Sequence, residues 1–197
     1  MTLKEYDRPG GDENRYLTRA LALAEAALAD AEAAYHRALT VIRQSLGDGH
    51  PEVATLYRHL ADLAYRRHRP AEAMAYAQRA LDVRTAALGA GHLDVAFDTA
   101  ALACLLAAEG KMDEAEPLLR RALMTFQTVA GPDSDEVAFV GEELGAVLAA
   151  LGRPDEARTL HGGAPVTPSG DARRDTGATL DALSSLQLTR SPKTLDE

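Results

Sequence analysis

The histidines of this 197-residue chain are its clearest candidates for metal binding or acid–base catalysis. His50 and His92 lie 42 residues apart, each just before a predicted helix, which indicates a role in helix capping or loop geometry. Four others remain: His36, His59, His68 and His161. None of them stands at a short metal-ligand spacing that a Cys, Asp or Glu completes. The sequence therefore predicts no metal site and no cofactor.

The single cysteine and the recurring glutamates are no better placed for catalysis. Cys104 is surrounded by Ala and Leu, with no His or cationic neighbour to stabilise a thiolate, so we predict a buried thiol. Glu72, Glu114 and Glu156 each fall in the first turn of a predicted helix, where negative charge interacts favourably with the helix dipole. These patterns predict a protein without enzymatic activity. An enzyme with an unrecognised site remains the alternative.

The elements that carry these residues form a repeat of 42 residues. Arg-Ala-Leu begins at residues 37, 79 and 121, Val-Ala at 53, 95 and 137, and Glu-Ala at 72, 114 and 156. Within each unit apolar residues recur at i, i+3, i+4 and i+7, the spacing of an amphipathic helix. Self-similarity at this period predicts an all-α fold, a solenoid of antiparallel helix pairs.

The repeat also predicts how the chain is divided. Residues 1–11 are expected to be a flexible leader, 12–161 the repeat array, and 162–197 a flexible tail. The predicted units cover about 12–52, 53–94, 95–136 and 137–161. The first unit is degenerate, with a leading helix expected over about 14–28. In the tail, Leu180, Leu183 and Leu186 are spaced at i, i+3 and i+6, which predicts a short amphipathic helix over 179–188.

Charge and apolar content restrict the class of partner. The formal net charge of −9 argues against a nucleic-acid or anionic-membrane binder, because both require a basic surface. The N-terminus does not resemble a secretory signal, and no apolar run reaches the length of a membrane span. We therefore expect a cytoplasmic protein whose partner is another protein or peptide. A homodimer is left open, because unit four ends early and would expose four apolar residues: Leu144, Val147, Leu148 and Leu151.

The helix pairs, with small residues at their inward positions, resemble the tetratricopeptide repeat. The residues that carry this resemblance are Leu60, Ala61, Ala73, Ala80, Leu102, Ala103, Ala115, Ala122, Leu144, Gly145 and Ala157. The 42-residue period is similar to the variety found in kinesin light chains, and the resemblance covers about Asn14 to Leu160. It implies a right-handed superhelix whose concave wall is lined by the first helix of each unit and commonly holds a peptide or a partner's helix.

The same register implies which residues face the concave groove and bind the partner. They are Arg58, His59, Asp62, Arg66, Ala101, Cys104, Ala108, Glu142 and Glu143. The groove is then basic in unit two, apolar in unit three and acidic in unit four. Such polarity would fix the direction of a bound segment, with its acidic part near Arg58 and Arg66. The alternative is that these charges form an ordinary solvated face.

Two functional hypotheses follow from this arrangement. In the first, the protein is a non-enzymatic adaptor whose groove binds a peptide or helix of a partner. In the second, it is a regulatory peptide sensor whose own C-terminal tail occupies the groove until a partner displaces it. The linker between the array and the Leu-rich segment is long enough for the second arrangement.

Overall fold

The computed structural model describes residues 10–160 and 176–190. Within these ranges the chain forms eight α-helices and no strand: α1 Gly10–Leu46, α2 Pro51–Arg66, α3 Pro70–Leu88, α4 Leu93–Ala108, α5 Met112–Val129, α6 Asp135–Ala150, α7 Pro154–Leu160 and α8 Thr176–Arg190. Helices α1 to α7 pack against one another in chain order, which is the arrangement of a solenoid. The predicted all-α solenoid is confirmed. Among the described helices, none combines the length and the apolar composition that crossing a bilayer requires.

The repeated histidines cap the first helix of their units, as their recurrence predicts. The Nδ1 atom of His50 accepts a hydrogen bond from the backbone N–H of Glu52 at 3.2 Å, and His92 accepts one from Asp94 at 3.1 Å. Unit four has Ser134 at the equivalent position, and its hydroxyl oxygen accepts a hydrogen bond from the backbone N–H of Val137, the third residue of α6. These side chains satisfy N–H groups that a helix N-terminus leaves without an intrahelical partner.

The turn inside each helix pair depends on one residue with a left-handed backbone. Its φ is 55° at His68, 77° at Gly110 and 75° at Gly152, three positions spaced by 42 residues. One period before His68 stands Ala26, and no proline or glycine follows it in the next turn. Because nothing interrupts the helical pattern there, α1 is a single continuous helix.

The prediction of a separate leading helix over 14–28 is therefore wrong. Helix α1 also begins at Gly10, two residues before the predicted start of the array at residue 12. The rest of the predicted leader lies outside the described residues, as do the tail segments 162–175 and 191–197. The first unit contributes one long helix that packs on α2, and the full helix pairs begin with α2 and α3.

His68→Gly is expected to raise the melting temperature by about 1–3 °C. A residue with a side chain costs about 1–2 kcal/mol in the left-handed region, and glycine removes that strain. Glycine also raises the entropy of the unfolded chain, which cancels part of the stabilisation. His68 is exposed, so the substitution removes little packing. Thermal unfolding followed by circular dichroism measures the change, and Gly110→His is the matched reverse substitution, expected to lower the melting temperature. An unchanged or lower value for His68→Gly would contradict the strain argument.

Helix α4 forms the centre of the molecule. All its residues from Val95 to Leu106 are buried, because α3, α5, α6 and α8 pack around it. Cys104 lies in this segment, so the predicted buried thiol is confirmed. In unit four, Leu144, Val147 and Leu148 are also buried, since α6 packs between α5 and α7. The expected exposed patch on unit four is therefore wrong for these three residues.

Candidate functional site

Helix α8 lies on the face formed by α2, α4 and α6, here called the groove. It packs chiefly against α4, with fewer contacts to α2 and α6. Leu180 and Leu183 are 7% and 3% exposed, and Leu186 is partly buried against the same apolar cluster. The helix predicted over 179–188 exists and starts three residues earlier, at Thr176. Its leucines are covered by the array, which explains how so short a segment is held as a helix.

A second row of α8 residues makes polar contacts with the groove. Arg66 forms an ion pair with Asp181. The Nη1 atom of Arg58 donates to the Ser184 hydroxyl oxygen at 3.0 Å, and the Nε2 atom of Gln187 donates to the Asp94 carboxylate at 2.8 Å. Asp181, Ser184 and Gln187 are spaced three apart, so they follow one edge of the helix. The row is called the polar ladder below.

These contacts also define the direction of α8. Asp181 pairs with the last residue of α2, Arg66, whereas Ser184 meets Arg58 near the middle of that helix. As α8 advances, its contacts therefore move back along α2. The two helices run antiparallel.

The floor of the groove contains a buried ion pair between α3 and α4. The Nε atom of Arg84 donates to the Asp98 carboxylate at 2.5 Å, and the two residues are 3% and 1% exposed. Arg58 lies on the other side of Asp98, with Nε 3.9 Å from Oδ1. Burial raises the pKa of Asp98, against the opposing effect of Arg84 and Arg58, and burial lowers the pKa of Arg58. The cluster thus holds Arg58 beneath Ser184.

This ion pair stands where the neighbouring units have apolar residues. One period earlier the equivalent positions are Ile42 and Leu56, and one period later they are Phe126 and Val140. Phe126 and Val140 are fully buried. The sequence analysis did not predict this ion pair. Comparison of the units would have revealed it, because Arg84 and Asp98 are charged where the other units have apolar residues. Asp98 in particular interrupts an otherwise apolar helix.

His59 links the groove to the first unit. Its ring stacks on Tyr35 of α1 with centroids 5.2 Å apart and an interplanar angle of 10°. Burial, reinforced by the nearby Arg58, lowers the pKa of His59. The imidazole is therefore neutral near pH 7 and adds no positive charge to this end of the groove.

The nine groove residues predicted from the sequence fall into three groups. Four of them line a small cavity together with Leu180, Leu183 and Ser184 of α8: Arg58, His59, Asp62 and Ala101. Arg66 lies beside it, paired with Asp62 and Asp181, and both contacts raise its pKa. The other four lie outside that cavity: Cys104 buried, Ala108 and Glu143 half-buried, and Glu142 exposed. Within the described residues no cluster of three His, Cys, Asp or Glu side chains could hold a metal ion.

The helix-pair repeat and the groove along its first helices define a class of scaffold protein. The chain belongs to the tetratricopeptide repeat family, because the model of that family matches residues 16–86 and 95–162. The tetratricopeptide repeat fold is a scaffold for protein–protein interaction, and proteins that contain it are generally non-enzymatic.

Solved structures with the same fold include repeat proteins of the kinesin-light-chain type. BtubC (BKLC) from P. vanneervenii is 22% identical, with 90% of this chain and 84% of that chain covered and a TM-score of 0.65. A putative kinesin light chain with nearly identical TPR-like repeats from Podosopora anserina is 16% identical, with 94% and 90% covered and a TM-score of 0.63. The predicted 42-residue, kinesin-light-chain-like repeat is confirmed. No curated protein matches the chain significantly.

Proposed function

We propose that the protein is a non-enzymatic adaptor that binds a helical segment of a partner protein in the groove. The observation that carries this proposal is α8 itself, an amphipathic helix held there by its leucines and its polar ladder. A face that buries Leu180 and Leu183 offers the same apolar contacts to another helix of similar pattern. The partner is therefore expected to be a protein segment that becomes helical on binding.

The chemistry of the groove supports this role. Ala101 and Leu105 form an apolar floor, and Arg58 and Arg66 stand along one side of it. Small side chains allow a helix to approach closely, while the arginines select its polar residues. The remaining predicted residues, Cys104, Ala108, Glu142 and Glu143, extend the proposed surface along α4 and α6.

We further propose that α8 regulates the adaptor by occupying the groove. It is joined to the array through residues 161–175, so its effective concentration at the groove is on the order of millimolar. A partner segment must outcompete this tethered helix to bind. A segment of low affinity would then fail to bind, and α8 would be displaced only by a partner that has higher affinity or is present at high concentration.

Leu183→Asp in the full chain is expected to open the groove. A carboxylate at a 3%-exposed position cannot remain in the apolar contact, so α8 should dissociate. A fluorescent peptide with the sequence of residues 176–190 should bind this variant at least about tenfold more tightly than it binds the unmodified protein. Fluorescence anisotropy measures the affinity. Ser185→Asp adds the same charge on the exposed side of α8 and is expected to behave like the unmodified protein.

Hydrogen exchange distinguishes groove binding from other effects. Leu183→Asp should increase exchange in α4, and saturating peptide should reverse that increase. If the peptide binds neither protein, or binds without protecting α4, the groove is not a helix-binding site and the proposal is wrong. Circular dichroism verifies that the array of the variant remains helical.

A further inference from the structure

We infer that the groove selects a partner helix that runs antiparallel to α2 and carries an acidic residue, a hydroxyl residue and a lysine or arginine at successive steps of three. Leucines precede each of these positions by one residue, as in the sequence 180–187 of the chain. This inference rests on the proposed function and specifies the chemistry of the partner. The third position is where α8 and the inferred partner differ.

The groove presents its charges in a fixed order along the polar ladder. Arg66 faces the first position, Arg58 the second and Asp94 the third. Two cations followed by an anion match a helix that is acidic toward its N-terminus and basic toward its C-terminus. A helix bound in the reverse direction would put like charges together.

The third contact of the polar ladder, between Gln187 and Asp94, leaves one polar atom of α8 without a hydrogen bond. Gln187 donates to Asp94 through Nε2, but its Oε1 atom is buried and no donor among the described residues reaches it. A buried carbonyl oxygen without a hydrogen bond is unfavourable. The glutamine therefore gains one neutral donor contact and loses the solvation of its second polar atom.

Asp94 has one long ion pair but accepts no hydrogen bond from a cationic side chain in the part of the chain that the structure describes. The nearest guanidinium, Arg84, lies 4.0 Å away and donates its short bond to Asp98 instead. His92 accepts a hydrogen bond from the Asp94 backbone through Nδ1, so that nitrogen carries no proton toward the carboxylate. A lysine or arginine at the third position would bring a cationic donor to within hydrogen-bond distance of Asp94 and would remove the unpaired carbonyl oxygen of Gln187. The neutral glutamine amide already donates to a charged acceptor, and a cationic donor would add the attraction between two opposite full charges.

The consequence is a mechanism by which a partner displaces α8. A partner helix with the same leucines and a basic third residue would bind more tightly than the glutamine-bearing α8. Its free energy advantage would come from one contact, at Asp94. The internal helix thus sets a partner concentration below which the groove stays occupied, and a basic third residue lowers that concentration by the same factor as it tightens binding.

Peptide binding to full-length Leu183→Asp tests this inference. The peptide 176–190 carrying Gln187→Lys is expected to bind about fivefold to tenfold more tightly than the unmodified peptide, and Gln187→Glu correspondingly more weakly. Ser185→Lys adds the same charge on the exposed side of the peptide and controls for attraction to a protein of net charge −9. Its affinity should change by less than about twofold in 0.15 M salt, where long-range attraction is screened.

A charge reversal in the protein completes the test. With Asp94→Lys added to Leu183→Asp, the Gln187→Glu peptide should bind more tightly than the Gln187→Lys peptide. If Ser185→Lys strengthens binding as much as Gln187→Lys, or if Asp94→Lys does not invert the preference, the inference is wrong. The proposed function then still stands, provided that the unmodified peptide binds and protects α4. If none of the peptides binds, both the inference about the third position and the proposed helix-binding function are wrong.

Discussion

Asp98→Ala is expected to lower the free energy of unfolding by about 3–5 kcal/mol, because it removes the carboxylate that hydrogen-bonds the buried, charged Arg84. Arg84 is 3% exposed, and its other polar contacts among the described residues are the Thr55 hydroxyl at 3.2 Å and the Asp94 carboxylate at 4.0 Å. Neither contact replaces the 2.5 Å hydrogen bond to Asp98. Denaturant unfolding followed by circular dichroism measures the loss.

The repeat itself supplies the control. Arg84→Phe combined with Asp98→Val copies the apolar pair that unit four has at the equivalent positions, Phe126 and Val140. Replacing a buried ion pair with apolar residues of similar volume is often neutral or stabilising by about 1–4 kcal/mol. We therefore expect the double variant to be clearly more stable than Asp98→Ala and close in stability to the unmodified protein, since Arg58 still loses its nearest carboxylate. If the double variant were as unstable as Asp98→Ala, the loss would come from packing and not from an unpaired charge.

In the double variant we expect a change in peptide affinity without a matching change in the free energy of unfolding. Without Asp98, Arg58 keeps its contact with Ser184 but loses the carboxylate on its other side. We expect peptide binding to weaken in a protein that is not destabilised. That outcome would explain why one unit of the array has an ion pair where its neighbours have apolar residues.

Ala101→Trp is expected to weaken binding of the peptide 176–190 to Leu183→Asp by about 10- to 100-fold. Ala101 is 6% exposed and lines the cavity beneath Leu180 and Leu183. An indole in this space would overfill the contact, and overpacking typically costs about 1–3 kcal/mol. Fluorescence anisotropy measures the affinity, and circular dichroism shows whether the array is intact.

Ala71→Trp is the matched control, since Ala71 is exposed near the start of α3 and lies outside the cavity. It should leave peptide affinity unchanged. Equal losses from both tryptophan variants would mean that the effect is not local to the groove. An unchanged affinity for Ala101→Trp would contradict the binding surface proposed here.

Much of the fold could be predicted because its determinants are local and repeated. The apolar spacing of each unit, the capping residues at 50, 92 and 134 and the turn residues at 68, 110 and 152 all lie within a few residues of the structure they specify. The exception was the first unit. Periodicity there was mistaken for a helix pair, although Ala26 occupies the position where other units have the turn residue.

The candidate site was only partly accessible to the same reasoning. Register with the other units indicated Arg58, Arg66 and Ala101, because a first helix presents the same positions in every repeat. It missed Asp98 and Arg84, although comparison of equivalent core positions would have revealed both charges. It also missed the third contact of the polar ladder, between Gln187 and Asp94.

By itself, the sequence determined an all-α repeat, the capping and turns of its full units, and an amphipathic segment near the C-terminus. Only the tertiary structure decided that this segment lies in the groove, antiparallel to α2, with its leucines on α4. The physical reason is distance along the chain. Helix periodicity and capping are satisfied by neighbours a few residues apart, whereas the contact of Arg58 with Ser184 joins residues 126 apart. An amphipathic pattern predicts that one face of a helix is buried, but only the folded array determines which surface covers that face.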